Sequence, residues 1–153
     1  MTAPTPDFSD PAAVVRAFIH QMHCWEALAG AFVTGAQARY NPGDDSTMDP
    51  EEMRVGGVVR QIPQCVASIY LTKEKRAAET AGSYSTPPEY DPRTEKVVRV
   101  VPKTKSQVVV ETDRKTDYMG GLRQYVLKQQ DGVWLIDSVT VTLGTQKRKL
   151  TLV

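Results

Sequence analysis

The chain has few of the features that mark membrane, secreted or metal-binding proteins. Its 153 residues include only two cysteines and two histidines, and no apolar run approaches the roughly 20 residues that cross a bilayer. Cys24 and Cys65 stand in apolar-periodic segments without C-x-x-C spacing, so we expect two buried thiols and neither a disulfide nor a metal site. The first residues carry Asp7 and Asp10 and lack a basic region before an apolar core. This predicts a cytoplasmic protein without a signal peptide.

An excess of either charge is also lacking. Nineteen Lys and Arg residues against 18 Asp and Glu residues give a net charge of +1, so no overall field recruits nucleic acid or an anionic membrane. Hydrophobic residues make up 41%, which at this length predicts one domain with a sizeable core. We expect a flexible arm over residues 1–9, which hold little to bury, and a single domain over residues 10–153. A homodimer is as compatible with the sequence as a monomer.

Helical periodicity fills the first half of the domain. A helix starts at Asp10-Pro11 and extends to about residue 33, with apolar residues at spacings of three and four: Val14, Phe18, Met22, Trp25, Leu28 and Phe32. A second helix starts at Asp49-Pro50, with Glu52 in a capping-box position. We expect Pro63 to break it, or to restart it as a third helix whose buried side contains Cys65, Val66, Ile69 and Tyr70.

Alternating strand patterns fill the second half. We expect turns at Pro102-Lys103 and Gly144-Thr145, between strands at Lys96–Val101, Gln107–Thr112, a hairpin over Leu122–Leu143, and Arg148–Val153. Helices followed by an antiparallel sheet make an α+β domain, with the long first helix across the concave face of the sheet. We expect four large side chains to be mostly buried: Phe18, Trp25, Leu127 and Trp134.

The hairpin carries the clearest local signal. Asp131-Gly132 between apolar runs predicts a type I′ turn, which pairs Gln130 with Val133, Leu127 with Ile136 and Tyr125 with Ser138. Apolar positions in the second strand are even before Asp137-Ser138 and odd after it. One extra residue there, a β-bulge, would return all of them to one face and bend the strand.

Several stretches over about residues 10–140 carry a family resemblance. They are Phe18–Met22 with Trp25-Glu26, Lys73–Arg76, Pro87–Pro92 leading into Glu95–Val98, and Gln124–Leu127 with Asp131–Asp137. These stretches resemble the nuclear transport factor 2-like fold and, more narrowly, the immunity proteins of that fold encoded beside bacterial polymorphic toxins. The resemblance implies a cone-shaped domain with N-terminal helices packed on a curved antiparallel sheet.

In function, the resemblance implies a cytoplasmic antitoxin that binds and neutralises a cognate toxin domain. We therefore expect no enzymatic activity, no cofactor, no metal, and no nucleic-acid or membrane partner. The alternative is a small-molecule isomerase, dehydratase or other pocket enzyme of the same superfamily, which would need an acid or base in an open cavity.

Two segments are candidates for binding the partner. One is an acidic stretch with five carboxylates in nine residues: Asp44, Asp45, Asp49, Glu51 and Glu52. Helix capping explains Asp49 and Glu52, whereas Asp44 and Asp45 are equally consistent with charge steering and with a solvated loop. The other segment runs from Tyr84 to Asp91 and offers aromatic and acidic contacts through Tyr84, Glu89, Tyr90 and Asp91.

Three further polar residues on a helix and one in the hairpin allow a catalytic interpretation. His20, His23 and Glu26 share a helix face, but no second His or Cys cluster completes the four ligands of a structural metal. Asp137 could act as a general base on the concave wall of a cone. We favour instead a structural role for Asp137 in the bulge, or a position in which its side chain faces solvent.

Overall fold

In the part of the chain that the structure describes, three helices precede a five-stranded antiparallel sheet, which confirms the α+β class. The computed structural model describes residues 5–39, 49–78, 84–85, 87–115 and 121–150. The helices are α1 Pro11–Arg39, α2 Pro50–Tyr70 and α3 Lys73–Ala78. The strands are β1 Glu95–Thr104, β2 Gln107–Arg114, β3 Gly121–Gln130, β4 Val133–Leu143 and β5 Gln146–Leu150. The sheet order β1-β2-β3-β4-β5 is a meander in which chain neighbours pair.

The core forms where the apolar stripe of α1 packs against one face of the sheet. Phe18 is fully buried, and its ring meets three others edge-on, with centroids 5.9, 5.6 and 6.3 Å away: Tyr70, Tyr90 and Tyr125. Trp25 and Leu127 are buried as expected, whereas Trp134 is only partly buried at the margin of the core. Leu28 is exposed because the stripe continues through Ala29.

Helix α2 continues through Pro63, so the predicted break is wrong. A proline at this position lacks the N–H that would bond to the carbonyl of Val59. The indole N–H of Trp25 donates to that carbonyl instead, at 3.1 Å. The hydrogen bond from α1 therefore replaces the one that the proline removes, and α2 stays regular.

Both cysteines are exposed, contrary to the expectation of buried thiols. The buried positions of α2 recur every three or four residues: Gly56, Val59, Pro63, Val66, Ala67 and Tyr70. Cys65 and Ile69 lie beside this stripe and not on it. Cys24 lies beside the corresponding stripe of α1, where its Sγ is 3.8 Å from Nε2 of His20.

The β3–β4 hairpin confirms the predicted turn and bulge. Asp131 and Gly132 both have positive φ, 52° and 82°, as a type I′ turn requires. Pairing follows the predicted register up to Leu127–Ile136, after which Val126 pairs with Ser138, so Asp137 is the extra residue. Tyr125 consequently faces Val139 and not Ser138.

The Asp137 side chain is fixed at the bulge. It accepts a hydrogen bond from Oγ1 of Thr72 at 3.1 Å, and its other oxygen lies 3.1 Å from Nζ of Lys128. Thr72 also donates its backbone N–H to the carbonyl of Ile136. The carboxylate therefore fastens the segment after α2 to the bent part of β4.

Other boundaries differ by a few residues. Strand β1 extends past Pro102, and the turn to β2 lies at Lys105-Ser106. Because β1 is an edge strand, a proline there need not supply a donor to a neighbour. Phe8, in the predicted arm, accepts a hydrogen bond from the Trp134 N–H at 3.0 Å and packs near Tyr70. Among the described helices, none is long and apolar enough to cross a membrane.

Candidate functional site

A buried arginine on β3 organises the most polar part of the core. Arg123 shares a strand face with Tyr125 and Leu127, and its side chain is fully buried. Its Nη1 donates to Oε2 of Glu95 at 2.9 Å, and its Nη2 donates to Oε1 of Glu89 at 2.6 Å. Burial alone would lower the Arg123 pKa, but the surrounding Tyr125, Tyr90 and Glu95 outweigh it and raise that pKa. Arg123 is therefore a permanent buried cation.

Glu95, at the start of β1, is the buried counter-ion. Like that of Arg123, its side chain is 0% exposed. Its Oε1 accepts hydrogen bonds from Oγ1 of Thr112 at 2.7 Å and from the Tyr125 hydroxyl at 2.9 Å. Burial, reinforced by the nearby Glu95, raises the Tyr125 pKa, so this phenol remains a donor. Both oxygens of Glu95 are thus engaged, as a buried carboxylate requires.

The connection before β1 is held down by this cluster, and we call its residues Pro87–Pro92 the strap. Tyr90 is buried, and the guanidinium carbon of Arg123 lies 4.4 Å from its ring centroid. Glu89 forms the ion pair with Arg123 while its side chain stays 40% exposed. Arg114 adds a hydrogen bond from Nη2 to the Glu89 carbonyl at 3.2 Å.

Side chains of helix α1 bind the backbone of the strap and of the residues just before it. Glu26 is buried and accepts hydrogen bonds from the N–H groups of Tyr90, at 3.0 Å, and Ser85, at 3.3 Å. Burial raises the Glu26 pKa, an effect that these two hydrogen bonds oppose. His23 places Nδ1 2.7 Å from the Tyr90 carbonyl, and its N–H donates there.

The strap ends in a turn that leads into β1. The Asp91 carbonyl accepts hydrogen bonds from the N–H groups of Thr94 and Glu95. The Asp91 carboxylate pairs with Arg93 at 2.9 Å, and hydrogen bonding from Arg93 lowers the Asp91 pKa. These contacts set the position at which Glu95 enters the core.

Of the predicted acidic stretch, the structure describes only the part at the start of α2. Asp44 and Asp45 lie outside the described residues. Asp49 is the N-cap of α2, where its side chain accepts the Glu51 N–H at 2.9 Å. Glu51 pairs with Arg54, and Glu52 is half-buried in the first turn. Both carboxylates therefore belong to the start of α2.

The second candidate segment has fewer side chains available to a partner than we expected from the sequence. Glu89, Tyr90 and Asp91 come together in the strap, but Tyr90 is a core residue and not an exposed anchor. Tyr84 is half-buried against the core. In the part of the chain that the structure describes, no three His, Cys, Asp or Glu side chains are placed to hold a metal ion.

Arg123, Glu95 and Thr112 were not among the predicted site residues. The alternation of β3 does contain a signal, because Arg123 shares the parity of the buried Tyr125 and Leu127. A charge on an apolar face needs a buried partner. No local pattern identifies Glu95 as that partner, since 28 residues separate the two.

The cluster thus binds the strap and leaves no unoccupied carboxylate oxygen on Glu95 for chemistry. Comparison with protein-family models, with curated proteins and with solved structures finds no match.

Proposed function

We propose that this chain is an immunity protein of the nuclear transport factor 2-like fold, which binds and neutralises a cognate polymorphic toxin domain in the cytosol. One observation carries the proposal. Residues from separate stretches of the family resemblance meet in one cluster that includes part of the strap: Glu26, Glu89, Tyr90, Glu95 and Tyr125. The arrangement of helices before an open antiparallel sheet supports the same family.

A fixed strap suits a binding protein. Association costs less when the contacting segment is already held in one conformation. The strap is bonded to α1 through Glu26 and His23 and to β3 through Arg123. It also keeps Pro87 exposed and Glu89 partly exposed. An apolar contact beside a charge, on a rigid support, is a common composition for a protein-binding surface.

The alternative, a pocket enzyme, receives less support from the geometry. Such an enzyme needs an acid or a base that a substrate can reach. The carboxylate of Glu95 is enclosed and fully bonded, and that of Asp137 is bound by Thr72 and Lys128 at the bulge. Both carboxylates serve the fold in these positions.

A dimerising adaptor would present an apolar outer face on the sheet. The middle of that face carries a polar row instead. Glu111 on β2 accepts hydrogen bonds from Arg99 at 2.7 Å and from Gln124 at 2.8 Å. This row makes the middle of the outer face polar, which does not favour an adaptor.

The proposal is tested by co-expressing the full chain with the toxin domain encoded beside its gene. We expect the chain to restore growth and to elute with the toxin as one complex in size-exclusion chromatography. Pro87→Arg, on the exposed strap, should weaken the complex at least about tenfold, the loss expected when a hot-spot position of an interface is disrupted.

Pro102→Arg, at an exposed proline of β1, is the matched control and should leave the affinity unchanged. Full toxicity in the presence of the chain, together with separate elution, contradicts the proposal. Equal weakening by both substitutions contradicts the role of the strap.

A further inference from the structure

A pocket of about 350 Å³ lies between Phe8, the end of α2, α3 and the β3–β4 turn. Its volume is at the lower end of the range for small-molecule sites, roughly 300–1,000 Å³. Four apolar side chains form its walls: Phe8, Ile69, Val133 and Leu135. None of its lining residues belongs to the Arg123 cluster, so this pocket is distinct from the strap.

The polar side of the pocket is held in place by hydrogen bonds. Gln130 accepts the backbone N–H of Lys73 at 3.1 Å and donates to Oε2 of Glu74 at 2.9 Å. Nζ of Lys73 lies 2.9 Å from Oδ2 of Asp131. These bonds join α3 to the hairpin and leave the Lys73 charge paired.

Arg76 is the remaining cation of the lining. Its Nε donates to the Leu71 carbonyl at 2.9 Å, which positions the guanidinium. Within the described part of the chain, its two terminal nitrogens make no hydrogen bond or ion pair. A guanidinium with two such donors matches the two oxygens of a carboxylate.

We propose that this pocket binds a small apolar carboxylate, with the carboxylate on Arg76 and the apolar body against the four apolar walls. The charges of Lys73, Glu74, Arg76 and Asp131 sum to zero. Recognition therefore depends on the cations next to the bound carboxylate, which are Arg76 and, once its pair with Asp131 is removed, Lys73. The inference is independent of toxin binding.

The test uses 3-phenylpropionate as the probe and 3-phenylpropionamide as its uncharged analogue. Amide chemical shifts of the full chain are followed by NMR during titration. We expect saturable shifts around the pocket with a Kd of roughly 0.1–1 mM, within the limits for a ligand of this size. The amide should bind about two- to fivefold more weakly, within the range for one exposed charge pair.

Two variants move the affinity in opposite directions. Arg76→Gln should weaken 3-phenylpropionate about fivefold, whereas Arg60→Gln, at an exposed arginine of α2, should not. Asp131→Asn frees Lys73 and should tighten binding about two- to fivefold. Asn-Gly also suits the type I′ turn, so this variant keeps the fold even where the Arg76 variant does not.

Saturation around the pocket, preference for the acid, and tighter binding by Asp131→Asn support the site. Shifts that do not saturate, that map to another surface, or that are equal for acid and amide overturn it. An unchanged affinity in Asp131→Asn overturns the proposed charge recognition.

Discussion

Arg123 places a positive charge inside the core, where two carboxylates and an aromatic ring compensate it. Removing one partner of a buried ion pair leaves the other charge buried without compensation. This lowers the free energy of unfolding far more than the loss of an exposed pair does. The compensation here is incomplete, because among the described residues Nε of Arg123 has no hydrogen-bond partner. The Tyr90 ring face beside the guanidinium supplies part of the stabilisation instead.

Arg123→Met should therefore destabilise the protein by about 3–5 kcal/mol, since it strands the buried Glu95. Arg54→Met breaks an ion pair with Glu51 in which both side chains are exposed, so it should leave the urea midpoint almost unchanged. Urea unfolding measures both. Adding Glu95→Gln to Arg123→Met should recover part of the loss, and no recovery would contradict the stranded-charge explanation.

Glu26 should make stability depend on pH in the weakly acidic range. Its pKa is raised from 4.5 chiefly by burial, so the folded protein binds the proton more tightly than the unfolded chain. The Glu26 contribution to stability therefore decreases as pH rises from about 4.5 through the raised pKa, and is constant above it. Glu26→Gln cannot titrate, so the stability difference between wild type and variant should fall across that interval.

Glu51→Gln is the control, because the contribution of Glu51 to stability should change with pH in the opposite direction. Hydrogen bonding from Arg54 lowers the Glu51 pKa below 4.5, so its contribution is lost as pH falls through the lowered pKa. Urea midpoints from about pH 3 to about pH 8, an interval that contains the usual carboxyl pKa values of roughly 4, resolve both slopes. A flat difference for Glu26→Gln would contradict a raised pKa.

At the level of helices, one indole hydrogen bond allows a proline inside α2. Trp25→Phe should cost about 1–3 kcal/mol, because the Val59 carbonyl loses its donor while it is buried. Pro63→Ala supplies a backbone N–H for the same carbonyl. Thermal and urea unfolding of the double-mutant cycle should show a smaller cost of Trp25→Phe in the Pro63→Ala background. Equal costs in both backgrounds would mean that Trp25 acts by packing alone.

At the level of strands, the bulge keeps both halves of β4 on the core. Deleting Asp137 removes the extra residue and leaves Ile136, Val139 and Val141 in regular alternation on the core face, so this variant should still unfold cooperatively. Deleting Ser138 as well reverses the alternation and turns Val139 and Val141 away from the core, so cooperative unfolding should be lost. Near-ultraviolet circular dichroism and calorimetry distinguish the two variants. A cooperative transition in the double deletion, or its loss in the single deletion, would contradict this account of the bulge.

The parts of the fold that could be predicted were those encoded locally. The turn at Asp131-Gly132 and the bulge at Asp137 follow from neighbouring residues, and the structure confirms both. The uninterrupted α2 could not be predicted, because the donor that compensates Pro63 comes from Trp25 on another helix.

The candidate site shows the same limit. The sequence identified Tyr84–Asp91 as a candidate binding segment, but it did not indicate which of these residues are exposed. Tyr90 is buried because Arg123 and Phe18, far away in the chain, cover its ring. Glu95 and Arg123 likewise meet only through the sheet.

At the scale of the whole molecule, the proposed function predicts charge-dependent association. Asp44→Lys with Asp45→Lys should slow association with the toxin and reverse its salt dependence, because both acids are candidates for steering. Thermal stability should be almost unchanged. Asp7→Lys with Asp113→Lys makes the same change in net charge elsewhere and is the control. Surface plasmon resonance at two salt concentrations measures the rates. An unchanged association rate would mean that these two acids do not contribute to binding.

The way in which α1 holds the strap also bears on how this surface can diverge. Glu26 and His23 bond to backbone N–H and carbonyl groups of Ser85 and Tyr90, which every non-proline residue possesses. Side-chain identity at the exposed Pro87 is therefore not specified by these anchors. On the proposed function, a different side chain at this position would change what the surface recognises while the same contacts hold the backbone in place.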